Sequence, residues 1–317
     1  MKTGLTFCIF IILSLYGCSK PTVSPVEIAI NPWPGYEFLY LAEQKGFFEQ
    51  VQLNAKLIQL DSLSDVQRSY VNGYADGIAS TVIEAVQAEV LGGKPLEIVL
   101  VPDFSNGGDV IIADKGIKSV KDLKGKTVGC EVSSLGIYIL QRALSSHDLK
   151  LSDVNVINIE QMRGEQALLN GSIDAFISYP PVSTTILKHE KYHQIFSSAE
   201  IPNEIIDTVS VSKDALKQNP DFVPKLHKVW QMALDYYQKF PEDALKIMSK
   251  REGFSAREFT DILSDLYILD NKAQKALFSK QDALQNSVIN VCKTLVHVES
   301  IETNCDQFPQ LIHQGEI

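Results

Sequence analysis

Two ten-residue segments of this 317-residue chain can be laid side by side: "VNGYADGIAS" at residues 71–80 and "LNGSIDAFIS" at residues 169–178. Each carries Asn-Gly, then Asp three residues after the glycine, then a short apolar run closed by serine. Asn-Gly stops a helix because both residues enter the left-handed region at low cost. The residues before each pair have helical spacing, and those after it read as a buried strand. The similarity extends upstream. "VEIAI", a Gly-containing turn and "YEFLYLAEQKG" give strand then helix, and "KTVGCEV", "SSLG" and "IYILQRAL" give the same order. Short strands alternating with amphipathic helices predict parallel α/β sheets. One unit used twice, about a hundred residues apart, predicts two similar lobes.

In open α/β sheets, ligands bind beyond the carboxyl ends of strands, where helices begin. Four segments meet that rule, two from each lobe: Trp33 to Tyr36, Ser80 with Thr81, Ser133 to Gly136, and Ser178 with Tyr179. Helix starts there offer free amides and partial positive charge. Trp33, set between prolines in "NPWPGY", has little packing reason to occupy a turn and reads as a wall of the cleft. Tyr36 has two readings, a second wall or a staple onto its own helix. Beyond residue 205, "IDTVSVS" is one more strand and helices follow it to the C-terminus. Asp221 and Ser255 are N-cap candidates, Pro241 suits a first helical position, and Trp230, Tyr236 and Tyr237 read as helical core.

The N-terminus and the charge bound where such a chain works. Residues 5–17, "LTFCIFIILSLYG", form an apolar run behind Lys2 that is short for a membrane span and has the length of a signal-peptide core. Leu15 three residues before Cys18, with Gly17 directly before it, resembles the lipobox of bacterial lipoproteins, whose cysteine is lipidated. That reading gives a signal peptide over residues 1–17 and a lipidated linker over 18–24. The protein would then sit in the periplasm or on the cell surface, anchored to a membrane by Cys18. An ordinary signal peptide cut nearby is the other reading. With 29 basic against 39 acidic residues, a formal net charge of −10, nucleic acid is a poor partner. Cys130 in "KTVGC" reads as a buried thiol, and Cys292 and Cys305 are candidates for a disulfide in an oxidising compartment.

The segments "NPWPGYEFLYLAEQKGFF", "DFSNGGDVIIA" and "VKDLKGKTVGCEVSSLGIYIL" resemble the periplasmic solute-binding proteins of the NMT1/THI5-like group. That group includes binders of sulfonates, taurine, nitrate-type anions and pyrimidine thiamine precursors. The resemblance covers about residues 25 to 240. It implies a two-lobed α/β periplasmic-binding-protein fold (type II-like) with a ligand cleft between the lobes. Lobe one would comprise residues 25–108 plus 207–317, and lobe two residues 109–206. It also implies an ABC permease as partner, a monomer, no cofactor and no catalytic residue. Matched to the family pattern, the solute would be met by Trp33, Tyr36, Ser80, Thr81, Asn106, Asp109, Ser133, Ser134 and Tyr179. Local readings stand beside two of these: Asp109 as a carboxylate capping hinge amides, and Asn106-Gly107 as a plain turn.

Side-chain chemistry narrows the solute. Aromatic faces stack on a flat ring or hold a cation. A sulfonate or nitrate would want serines, helix amides and an Arg, for which Arg142 and Arg163 are candidates that also read as surface residues. Asp103, Asp109 and Glu84 near the mouth lean against a bare anion. A small heterocycle or an amine-bearing compound is therefore expected. Three alternatives compete. "HEKYH" at residues 189–193 matches H-E-x-x-H, in which His189 and His193 would hold zinc and Glu190 would activate water. Lys188, Lys191 and the strand-like "HQIFSS" argue against it. The fungal members of the group make a pyrimidine and depend on a cysteine-rich segment absent here. A two-lobed binder can also report ligand state to a membrane kinase or cyclase, with the same clamp.

Overall fold

The computed structural model describes residues 24–280 and 282–317. The apolar N-terminal run and Cys18 lie outside the described residues. The chain begins with β1 (Val26–Ile30), β2 (Ala55–Gln59), β3 (Gly77–Thr81) and β4 (Leu96–Leu100). It crosses through β5 (Asp103–Ser105) into β6 (Val110–Asp114), β7 (Thr127–Cys130), β8 (Asn155–Asn158), β9 (Ala175–Ser178) and β10 (Tyr192–Ser197). It returns as β11 (Asp207–Ser212), and β12 (Leu266–Ile268) lies in the helical C-terminal region. The first sheet has the order β2-β1-β3-β11-β4. The second, read from its far edge, is β8-β7-β9-β6-β10, the same arrangement strand for strand. The molecule is a two-lobed α/β protein.

The repeated residues perform the same local work in both lobes. Gly73 and Gly171 take positive φ (77° and 74°) just past the helices Leu63–Val71 and Gln161–Leu169. A side chain would be strained there even though space is open. Asp76 and Asp174 then tie the start of the neighbouring strand: Glu27 N donates to Asp76 (3.2 Å) and Thr127 N to Asp174 (2.8 Å). The backbone amides of the same two Asp residues bond back to the Glu27 and Thr127 carbonyls, each at 2.8 Å. These paired bonds set the register of β3 on β1 and of β9 on β7.

The helix–strand alternation alone predicts parallel sheets, but both sheets are mixed. β1, β2 and β3 run parallel, as do β7, β8 and β9, but β11 is antiparallel to β3 and β4, and β6 to β9 and β10. The reason is topological. β6 and β11 arrive from the opposite lobe and not through a helical crossover, so the right-handed crossover rule does not fix their direction.

The C-terminal helices cover the first sheet. Helix Phe222–Lys239 packs on Glu37–Gln44, and Asp282–His297 on Val82–Val90. Trp230 is fully buried and its indole N–H donates to the Leu269 carbonyl (2.7 Å). Ser255 closes a capping box with Glu258, and Pro241 opens its helix. Asp221 stands at an N-cap without capping it and pairs instead with Lys225 (2.6 Å). Cys292 and Cys305 are bonded to each other, and Cys130 is a buried free thiol. If the repeated Asp fixes strand register, Asp174→Ala should cost about 1–1.5 kcal/mol in urea unfolding, because it leaves the half-buried Thr127 amide short of an acceptor. A change within about 0.5 kcal/mol, the range of an ordinary surface substitution, would deny that role.

Candidate ligand cleft between the lobes

Two strand-like segments connect the lobes. Ser105 N donates to Ile205 O (3.1 Å), the Ser105 and Ser198 hydroxyls are bonded (2.8 Å), and Gly107 N donates to Ser198 Oγ (2.7 Å). β12 extends β5 with an antiparallel pair, anchoring the crossing to the C-terminal region. Three carboxyl side chains lie on or beside these crossing strands, Asp103, Asp109 and Asp207, and all are buried. They form the floor of the cleft.

The walls are aromatic. The turn before helix Glu37–Gln44 folds Trp33 and Tyr36 inward. Trp33 Nε1 donates to Asp103 Oδ2 (3.3 Å), and the Tyr36 hydroxyl donates to Asp207 Oδ1 (2.5 Å). From the second lobe, Tyr179 sets its ring edge-on to Trp33 at 6.2 Å and takes the Leu63 amide on its hydroxyl (3.1 Å). Gly35 permits this packing: a Cβ there would stand 1.8 Å from Asp103 Oδ2 and 2.9 Å from Trp33 Nε1. Asn31, Trp33, Tyr36, Leu63, Thr81, Asp109, Leu135, Tyr179 and Asp207 enclose a cavity of about 10 Å³, room for a single water molecule.

The residues named from the sequence separate on this geometry. Trp33, Tyr36, Thr81, Asp109 and Tyr179 line the cavity. Ser134 is buried beside it and donates to Glu84 across the cleft (2.6 Å). Ser80 is buried but turned away, its carbonyl taken by Thr208. Asn106 is half-buried in the crossing turn, its amide on the Asp265 carbonyl (2.8 Å). Ser133 is exposed. Asn31, Leu63, Leu135 and Asp207 line the cavity without having been singled out. Arg163 is exposed, and Arg142 is gripped by Glu204 at 2.6 and 2.8 Å beside a separate groove of about 340 Å³. The zinc reading fails on conformation: His189 lies in a turn, bonded to Glu165 (2.8 Å), and His193 lies in β10. Helical i, i+4 geometry is absent, and no group among the described residues is arranged to hold a metal ion.

The electrostatics are one-sided. Among the described residues no Lys, Arg or His lines the cavity. Both oxygens of Asp109, and one each of Asp103, Asp207, Glu131 and Asn31, are buried without a hydrogen-bond partner. Burial pushes Asp103 and Asp109 up to about 7, and Glu131 likewise, with hydrogen bonds from Ser62 and Ser64 pulling Glu131 partly back. Asp207 is raised by burial and then by Asp103 and Asp109. Asp103 and Asp207 are within hydrogen-bond reach of each other, so one shared proton satisfies both. Tyr36 and Tyr179 are raised by burial and by the neighbouring carboxylates, and stay neutral donors.

A family model described as NMT1/THI5 like matches residues 33–244. The chain belongs to this family. Among NMT1/THI5-like relatives, a protein of Brucella abortus named as a binding protein is 29% identical over 257 residues, covering 76% of this chain and 77% of that one. A Bacillus subtilis protein named for binding aliphatic sulfonates is 25% identical, covering 92% and 86%. The periplasmic aliphatic sulphonate binding protein SsuA of Escherichia coli shares the fold, with a TM-score of 0.72 at 16% identity over 92% of this chain and 98% of that one.

The raised carboxyls set a pH dependence. They are protonated in the folded protein up to about pH 7, whereas in the unfolded chain they ionise near their ordinary values of about 4. Their contribution is therefore complete below about pH 4 and is lost as pH rises through about 7. His227, held neutral near 4 by burial, opposes this over the acidic part of the range. Ligand-free stability should fall between about pH 4 and 7, most steeply above about 6.5 where His227 no longer opposes it, and Asp109→Asn should flatten the slope in chemical unfolding. A slope unchanged by that substitution would contradict the assignment.

Proposed function

We propose that the protein is the extracytoplasmic solute-binding component of an ABC importer, closing its two lobes on a small amine-bearing heterocycle. The carrying observation is the cavity's polarity: Asp109 and Asp207 line it, Asp103 and Glu131 are buried carboxyls bonded to its Trp33 and Tyr179 walls, and no cationic side chain among the described residues lines the space. Without a ligand these carboxyls are kept from ionising by the protons they hold, and a solute that brings N–H groups or a positive charge takes the place of those protons. Trp33, Tyr36 and Tyr179 supply flat apolar walls for a ring. A cationic or multiply N–H-bearing heterocycle satisfies both at once. The cavity is smaller than such a ring, so the solute enters an opened form and the lobes re-close around it.

In this reading, lobe one is residues 25–108 with 207–317 and lobe two is 109–206. Cys18 is the lipid attachment point that keeps the protein beside its permease. No catalytic residue is assigned: Cys130 is buried and its thiol is pushed up to about 12, first by burial and then by Glu131.

The test is a thermal-shift screen of the soluble chain against aminopyrimidines, alkylamines, taurine, alkanesulfonates and nitrate. A ligand at about a hundred times its Kd stabilises by about 2.7 kcal/mol, which is readily seen. Stabilisation by an amino-heterocycle, weakened about tenfold in affinity by Trp33→Ala, is expected. Stabilisation by sulfonate or nitrate alone would overturn the solute class.

A further inference from the structure

Glu84 stands at the third position of helix Val82–Val90 in the first lobe and is fully buried. Its Oε2 accepts from Thr81 N (2.9 Å) and Thr81 Oγ1 (2.5 Å), closing a capping box on its own helix. Its Oε1 faces the other lobe. There it accepts from Ser134 Oγ (2.6 Å) and Leu135 N (2.8 Å), at the start of helix Leu135–Ser145. Ser134, the N-cap residue, gives that helix no side-chain cap of its own. Its hydroxyl is committed to Glu84. One carboxylate thus closes the N-termini of two helices that belong to different lobes.

We propose that Glu84 is the specificity-determining residue of the cleft, an internal anion that fills the second lobe's helix start, excludes anionic solutes and clasps the lobes shut. The proposal rests on the reading of the cleft as a site for a cationic or N–H-bearing solute. A helix start with free amides and a positive dipole end attracts an anion. In an opened clamp, a sulfonate or nitrate would be drawn to Leu135 N and Ser134. In this chain a tethered carboxylate takes both donors on closure, at an effective concentration that a dilute solute does not match. An anionic solute would have to displace charge-assisted hydrogen bonds and then lie beside Asp109 and Asp207. A cationic solute leaves every Glu84 bond in place and adds its own.

The clasp also makes closure partly independent of the solute. Opening separates Glu84 from Ser134 and Leu135, while the bonds to Thr81 travel with the first lobe. Around Glu84 lie further links across the same mouth: Leu63 N to the Tyr179 hydroxyl (3.1 Å) and Arg68 to Glu160 (3.5 Å). The second is exposed and contributes little. The buried Glu84 contact is the one expected to govern the balance.

The test compares the unmodified chain with Glu84→Gln, Glu84→Ala and Ser134→Ala, after circular dichroism has shown that each is folded. Glutamine has one acceptor oxygen and does not serve both helices, and Ser134→Ala leaves Glu84 and its own helix intact. Small-angle scattering without ligand reads closure, and calorimetric titration with methanesulfonate reads anion access. The unmodified chain should be closed and should take up no methanesulfonate at millimolar concentration. The variants should open, with the open population raised at least about tenfold, and Glu84→Ala should gain at least about tenfold in methanesulfonate affinity. Should Glu84→Ala not fold, the other two variants decide. Methanesulfonate binding by the unmodified chain, or variants that stay as closed as it is, would overturn the role of Glu84. Both readouts work without the heterocycle, so a failure of heterocycle binding counts against the ligand reading alone.

Discussion

Three carboxyl groups buried on the strands that join the lobes are the constraint around which the rest of this structure is arranged. Asp103, Asp109 and Asp207 are removed from water on or beside the segments that cross between the lobes. An ionised carboxylate in such a place is costly, so the groups share protons and take whatever donors the surroundings offer. Trp33 and Tyr36 provide two of those donors, and Gly35 is the residue that lets the turn come close enough. The aromatic turn, the hinge and the acidic floor are therefore one construction. The oxygens left over define what a solute must bring.

The same logic separates this cleft from one built for anions. Every ingredient of an anion site is present in the fold: helix starts facing the mouth, serines beside them, two similar lobes. What differs is the charge placed among them. Glu84 reaches from one helix to the start of another, and Arg142 is turned to Glu204 at a distance from the cavity. The fold shared with a sulphonate-binding protein thus holds, in this chain, a cavity lined by Asp109 and Asp207, which is why the solute class must be argued from side chains and not from architecture.

Much of the architecture was legible because the repeat pairs a helix stop with a strand start. Asn-Gly and the following Asp have few other uses in combination, and the structure shows both Asp residues bonding the neighbouring strand. The direction of β6 and β11 was not legible, since nothing within those segments records that they arrive from the other lobe. At the site, Trp33 and Tyr36 stood out because a proline-flanked turn gives aromatics little else to do. Asp207 did not, because its partner Tyr36 is 171 residues away in sequence. Ser133 and Ser134 look equivalent on paper, but the helix start buries only the second. Ser80 and Thr81 are both buried, and only Thr81 faces the cavity, since successive strand residues face opposite sides. "HEKYH" matched a motif whose chemistry needs one helix, and the chain spends those five residues on a turn and a strand.

The central claim is that a solute replaces protons on a buried acidic floor. Titration calorimetry in two buffers of different ionisation enthalpy, at pH 7, counts protons exchanged on binding. An amino-heterocycle that carries its charge permanently should release protons, with Asp109→Asn reducing the number. No proton exchange, or uptake of protons on binding, would contradict the claim.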